Sequence, residues 1–366
     1  MSFSENIKDA LWNIKKSRKA QITILAILLI GVAATAGYVL FAGGGSTVST
    51  ASTNTSPTNT IDAEKSTRRA IDGVLVPVSK ANYYPVGVVV ENLVAARPQA
   101  GLNEANLVYE TLVEGGITRF LVVFAAGRDV QKIGPVRSAR DVHLDLANEL
   151  DFLFVHAGGS PTALQALQSS SINDFNQFFH NQYFFHDAER QKTKAIEHTL
   201  YTSAELLARA LRDTDGPLVG HFDPWLFTDD APISQRPVEE KTITIDFSSF
   251  NYKVGYTYLR ESNEYKRFLA EQPHLMENGK EILAKNVVVQ YAPTTLADEK
   301  GRLTIDMIGE GAAVVFQNGK AINATWKKAS KSERTRFFDE AGEEIRFIAG
   351  PTWVEVLPND REVTYT

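Results

Sequence analysis

The chain contains no cysteine, which removes disulfide frameworks, thiolate nucleophiles, Cys-ligated zinc, iron–sulfur clusters and a lipid-modified cysteine. It has no excess of positive charge either. Its 38 basic and 44 acidic side chains leave a formal net charge of −6, so no basic field covers the molecule and nucleic acid is not an expected partner. The seven histidines form neither H-x-x-x-H nor H-E-x-x-H, so the zincin motif is missing, and neither a metal nor a cofactor is expected. No internal repeat has a solenoid period. With 43% hydrophobic and 22% charged residues over 366 positions, the composition excludes a fibrous or wholly disordered chain and allows a real core.

The longest uncharged apolar stretch runs from Gln21 to Ala42. At about 20 residues it can cross roughly 30 Å of hydrocarbon as one transmembrane helix. Lys8, Lys15, Lys16, Arg18 and Lys19 precede it against only Glu5 and Asp9, and no charge follows until Asp62. The positive-inside bias therefore predicts residues 1–20 as a cytoplasmic tail, 21–42 as a signal anchor, and everything beyond as extracytoplasmic. A cleaved signal peptide is the rival, because Ala34-Thr35-Ala36 fits a small-residue cleavage pattern. The apolar run continues past that point through Tyr38-Val39-Leu40-Phe41, which favours the uncleaved anchor. Residues 43–81 begin with a Ser/Thr/Gly-rich stretch too polar to bury a core and read as a flexible linker.

From residue 82 onward the composition is globular. Pro85 to Glu91, Asn106 to Val113 and Thr118 to Ala125 read as strands. Ala139 to Leu150 carries one apolar helical face, with Ser138 as N-cap and Asp141 three residues later. Asp151 to Ala157 reads as a buried strand. Ser160 and Pro161 then open a helix over Thr162 to Gln168, and Thr202-Ser203-Ala204-Glu205 opens another. Alternating strands and helices predict an α/β domain over 82–236. Over 237–366 the pattern is strand after strand, with Asn318-Gly319 as a hairpin signal, which predicts a mostly antiparallel β domain.

The charged residues that invite a chemical reading are Arg97, Glu110, Glu114, Arg119, Arg137, Arg140 and His156, together with the Gly158-Gly159-Ser160 turn. Arg137 and Arg140 flank a helix start, where a cation is unfavourable by a few tenths of a kcal/mol up to about 1. Either carboxylates such as Glu110 and Glu114 pair with them, or an anionic ligand does. The turn offers backbone N–H groups suited to an anion, or is simply a tight strand-to-helix connection with a good cap. Ser160 before Pro161 reads as a cap rather than a nucleophile, since the segment is not G-x-S-x-G. Glu110 and Glu114 read as sharing one strand at i and i+4, which sets them about 13 Å apart. That exceeds the roughly 5 to 9.5 Å of a glycosidase pair, so any acid–base chemistry would join one of them to Asp145, Asp151 or Asp187, or to His156. Phe178 to Asp187 is aromatic-rich and reads as core or as a wall that stacks on sugar rings. Arg190 and His198 supply polar groups near its end.

Arg97-Pro98-Gln99-Ala100-Gly101-Leu102, Val113-Glu114-Gly115-Gly116-Ile117-Thr118-Arg119, Ile133-Gly134-Pro135-Val136-Arg137-Ser138-Ala139-Arg140, His156-Ala157-Gly158-Gly159-Ser160 and Leu200-Tyr201-Thr202-Ser203 occur in an order that resembles the YerB-like bacterial lipoproteins, a domain-of-unknown-function family. In the second half Asn318-Gly319-Lys320, Thr325-Trp326-Lys327-Lys328 and Gly350-Pro351-Thr352-Trp353 are similar to that family's C-terminal domain. The chain departs from it in having a membrane helix where a lipidated cysteine is usual, and Glu197-His198-Thr199 where Pro-His-Asn is expected. The resemblance implies a bacterial, extracytoplasmic, two-domain module and brings no reaction with it.

These readings combine into one expectation: a membrane-anchored binding or scaffold protein of the bacterial cell envelope. Its anionic or carbohydrate-bearing ligand, a cell-wall polymer or a small anion, would meet Arg97, Arg119, Arg137, Arg140, the Gly158 to Ser160 turn, Arg190 and His198. The alternative is an envelope hydrolase or transferase using Glu110, Glu114, His156 or Asp187. A protein partner on the β-rich half is a third reading.

Overall fold

Val86–Glu91 (β1), Leu107–Leu112 (β2) and Thr118–Phe124 (β3) are buried at every residue, as strands covered on both faces must be. The structure is a computed structural model that describes residues 65–125 and 127–366. The three strands belong to a ten-stranded sheet with Leu153–His156 (β4), Asn173–Asn176 (β5), Asn286–Ala292 (β6), Gly309–Gln317 (β7), Lys320–Lys328 (β8), Arg336–Asp339 (β9) and Thr352–Pro358 (β10). Its order is β9-β8-β7-β6-β10-β2-β3-β1-β4-β5. Strand β10 lies parallel to both β6 and β2, with Glu355 opposite Glu110. The sheet thus runs from strands of the C-terminal half directly into strands of the N-terminal half.

A second, six-stranded antiparallel sheet is built on Thr242–Asp246, Lys253–Leu259 and Glu264–Leu269. The latter two strands alternate buried and half-buried residues, as expected when one face packs on a core. Val254, Tyr256 and Tyr265 from that face join Val88, Val122, Val287 and Trp353 in one apolar cluster. The opposite face of the ten-stranded sheet packs against Val142, Leu146, Ala163, Leu167 and Trp225.

Helices are few: α1 (Asp141–Ala147), α2 (Pro161–Gln168), α3 (Ala188–Gln191) and α4 (Ala204–Asp213) among the described residues. The molecule is mostly β, and the α/β alternation expected over 82–236 is realised only where α1 and α2 interleave with β4 and β5. The helix expected from Ala139 starts two residues later, after Arg140 rather than Ser138. Backbone bonds pull Ala139 away: its N–H donates to Gly158 O at 2.9 Å and its carbonyl accepts from Ser160 N at 3.1 Å. Ser160 does cap α2, accepting from Ala163 N at 3.2 Å, with Pro161 at the first helical position. The cap of α4 is Ser203, which accepts from Leu206 N. Asn318 and Gly319 turn the β7–β8 hairpin with φ of 54° and 70°, the left-handed pair that a two-residue hairpin demands.

Among the described residues no helix is long and apolar enough to cross a membrane. The expected span at 21–42, the tail before it and most of the linker lie outside the described residues.

Candidate functional site

The segment from Arg137 to Ala139 is clamped between β1 and the His156–Gly159 turn. Arg137 N donates to Val89 O at 2.9 Å, Ala157 N to Arg137 O at 3.0 Å, and Ala139 N to Gly158 O at 2.9 Å. This ladder brings the arginines to the glycine turn. Arg119, on β3 directly across from Glu91 and Thr111, reaches the same place and donates through Nη1 to Ser138 O at 2.7 Å. Arg140 donates to Ala139 O at 2.8 Å and pairs with Glu114 at 2.6 Å. Arg137 pairs with Glu91 at 3.0 Å, and the other oxygen of Glu91 takes His198 Nδ1 at 2.8 Å. Arg302 adds a further cation 3.8 Å from Glu114.

Arg119 is the least compensated of these cations. It is 6% exposed, its Nε makes no hydrogen bond, and no carboxylate pairs with it among the described residues. Burial, then repulsion from Arg140 and Arg137, lowers its pKa to about 9. The same field reaches His143 in α1, which burial, Arg119 and Arg140 hold well below the ordinary histidine range. His143 Nδ1 accordingly acts as an acceptor, taking Arg140 N–H at 3.0 Å. Burial opposes ionisation of Glu114, but the Arg140 hydrogen bond and the nearby guanidinium charges outweigh it and its pKa is lowered.

Arg137, 29% exposed in its side chain, opens onto a groove of about 560 Å³ walled by Gly158, Phe178, His186, Ile196 and Glu197. Gly158 has a φ of 65°, and a Cβ there would lie 2.8 Å from the Phe178 ring, so the turn and the ring are fitted to each other. The turn's N–H groups are largely engaged within the protein: Gly158 N donates to Asn176 Oδ1 at 3.0 Å, and Ala157 N and Ser160 N to backbone carbonyls. Recognition at this groove therefore falls to side chains. Ser160 is buried, and its Oγ is shared between the α2 cap and Asp141 at 3.2 Å.

The remaining expected residues lie apart from the groove or are engaged. Arg97 is tied to Asn92 Oδ1 at 3.0 Å and Asn251 O at 2.8 Å and lies over Tyr252. Arg190 is buried on the carbonyls of Ala96 and Pro98. His156 has Nδ1 on Gly158 O at 2.7 Å and Nε2 on Asp174 at 2.6 Å, so neither ring nitrogen is free. Asp187 caps α3 through Arg190 N at 2.8 Å and pairs with Lys132, which lowers its pKa. Glu114 lies past the end of β2 rather than on one strand with Glu110.

Glu110 is fully buried in a network that sequence reasoning misses. It pairs with Arg267 and accepts from Thr118 Oγ1 at 2.5 Å and Asn92 Nδ2 at 3.2 Å. Arg267 also contacts Tyr256 at 3.1 Å and His274 at 2.5 Å and sits 4.6 Å over Trp353. Burial and the neighbouring Glu110 charge push the Glu355 carboxyl well above its usual range. Burial, then Arg267 and Arg97, hold His274 well below its own. A second buried network joins Glu149 to Tyr109 at 2.7 Å, Lys328 at 3.1 Å and Arg334 at 3.2 Å. Both close over more than a hundred residues of chain, and no local pattern announces them.

The family model described as Protein of unknown function (DUF3048) N-terminal domain matches residues 72–220, and its C-terminal counterpart matches 243–354. The "Putative lipoprotein YerB" of Bacillus subtilis (strain 168) is 31% identical over 308 residues, covering 81% of this chain and 88% of the relative. The chain belongs to the DUF3048 family. A crystal structure of YerB from Bacillus subtilis superposes with a TM-score of 0.72 at 28% identity, covering 81% of this chain and 99% of that one. The two-domain fold is thus YerB-like. DUF3048 carries no stated function; Arg119, Arg137 and Arg140, the Glu110–Arg267 pair and the Glu149 network fall within its matched residues, and Glu355 lies one residue beyond them.

Proposed function

We propose that this protein is a membrane-anchored, extracytoplasmic binding or scaffold module of the bacterial envelope, and that the groove beside Arg137 receives an anionic group, alone or carried on a carbohydrate. The observation that carries this reading is the charge imbalance around Ser138. Arg119, Arg137 and Arg140 crowd together against Glu91 and Glu114, Glu91 is shared with His198, and Arg119 has no carboxylate of its own among the described residues. Guanidinium groups match carboxylate and phosphate geometry, and the Phe178 ring, 71% exposed, offers an apolar face beside them. The anchored location draws on the uncharged run at 21–42 and on a relative whose printed name is that of a lipoprotein.

The test is co-sedimentation of the full-length protein with insoluble bacterial cell-wall material at low salt. Arg137→Ala should lower retention roughly tenfold while the melting temperature holds. An equal loss of retention and stability would reduce the cluster to structural ion pairs. The hydrolase reading has less behind it, because Glu110 is sealed under Arg267 and both His156 nitrogens are engaged. Release of soluble fragments by the wild type and not by Glu114→Gln would revive it.

A further inference from the structure

Before the start of β4, whereas the groove beside Arg137 lies past its end, two cavities of about 370 and 850 Å³ meet at His221, Phe222, Asp223 and Ser332. Together they form an elongated trough. The segment before Trp225 is held in place by His221 N, which donates to Asp151 Oδ2 at 2.9 Å. Trp225 itself is buried, with Nε1 donating to Thr335 O at 2.8 Å and the Arg334 guanidinium 3.9 Å over its ring.

The lining has a distinct chemistry. Its charges largely cancel: Arg68 pairs with Asp229 at 3.0 Å, Arg69 with Asp72 at 2.6 Å, and Arg334 with Glu149. Asp223 and Arg346 balance one another in sign, and the Asp223 side chain makes no hydrogen bond or ion pair within the described residues. A charge-balanced trough gives no advantage to a polyanion. Planar polar groups stand along it, namely Asn148, Asp151, Asn173, His221 and Asp223, with the ring of Phe222 among them. Hydroxyl groups both donate and accept, and such a mixture of carboxylate, amide and imidazole satisfies both roles. Arg334, 5% exposed, lines the smaller cavity, while its Nε is sealed from solvent and has no hydrogen-bond partner among the described residues.

We propose that this trough is a second ligand site, independent of the groove beside Arg137, and that it takes an uncharged oligosaccharide chain. Sugar rings lie lengthwise between Asn148 and Arg346, one of them against Phe222, with ring hydroxyls meeting Asp223, Asn173 and His221.

The experiment is calorimetric titration of the full-length protein in detergent with chitohexaose, a neutral probe. Saturable binding is expected, unchanged in about 0.5 M NaCl, unchanged in Arg137→Ala, and weakened roughly tenfold or more in both Phe222→Ala and Asp223→Asn. Absence of saturable binding overturns the proposal. So does binding that Arg137→Ala or salt removes, which would place the sugar at the arginine cluster, and so does binding that Asp223→Asn leaves intact. Should Phe222→Ala fail to fold, Asp223→Asn decides alone, because that side chain is exposed and bonded to nothing among the described residues.

Discussion

Arg137 Nε and Glu91 Oε1 lie 3.0 Å apart, and this contact couples the groove to the central sheet, because Glu91 ends β1 and its other oxygen holds His198. Removing the guanidinium leaves Glu91 with His198 still in place, whereas removing Glu91 strands Arg137 and His198 together beside Arg119. Arg137→Ala should therefore shift stability by less than about 1 kcal/mol, and Glu91→Ala by about 3 to 5 kcal/mol. Urea unfolding monitored by tryptophan fluorescence would measure both.

Glu149 is fully buried against Lys328 and Arg334 and accepts Thr335 N at 2.7 Å. Glu149→Ala leaves two cations buried without their carboxylate, a loss of about 3 to 5 kcal/mol. Burial opposes ionisation of Glu149, but Arg334 and Lys328 prevail and its pKa is depressed. Its stabilising contribution is thus present above the unfolded carboxyl pKa and lost as pH falls through the folded value. The gap in midpoint between wild type and Glu149→Gln should narrow on acidification.

Glu355 has the opposite sign. Its raised pKa means the folded state keeps a proton that the unfolded state has released, so stability declines as pH rises above the unfolded value. Glu355→Gln keeps an uncharged acceptor for Tyr256 and removes that decline. Its melting temperature should exceed that of the wild type by at least about 2 to 4 °C at pH 8, the shift produced by about 1 kcal/mol, and match it near pH 4. Differential scanning calorimetry across that range would decide it.

Gly158→Ala forces a methyl against the Phe178 ring in a left-handed backbone. The backbone part costs about 1 to 2 kcal/mol, and the clash adds to it. Phe178→Ala in the same chain should recover the clash and not the backbone cost, which a double-mutant cycle in urea would separate.

The cysteine-free chain permits a clean topology test. A single Ser52→Cys variant should react with a membrane-impermeant maleimide on intact cells, and Ser4→Cys only after permeabilisation. The reverse pattern, or equal labelling, would contradict the proposed orientation.

Much of the local structure is legible in the residues. The β1, β2 and β3 runs, the Ser160-Pro161 helix start and the Asn318-Gly319 hairpin lie where side-chain periodicity, capping and left-handed turn chemistry put them. Local pattern misplaces the start of α1 because Ala139 is recruited by Gly158 and Ser160, about twenty residues onward, a competition no local window contains. The aromatic segment near Phe178 reads as core ahead of wall, and it is both: Tyr183 is buried while Phe178 lines the groove.

Identity of residues sets short-range matters here, namely the charge total, the absence of thiol chemistry, where strands and turns form, and which family the chain joins. Each of these is decided by covalent composition or by dihedral preferences over a few neighbours. Which charges meet was decided by the return of the chain. Glu110 finds Arg267 and Glu355 because β10 enters beside β2 and the second sheet folds down on that face, and among the described residues Arg119 ends up without a carboxylate because Glu91 and Glu114 are claimed by others. Pairings between distant segments depend on packing free energy summed over the whole core, and no stretch of sequence holds that sum.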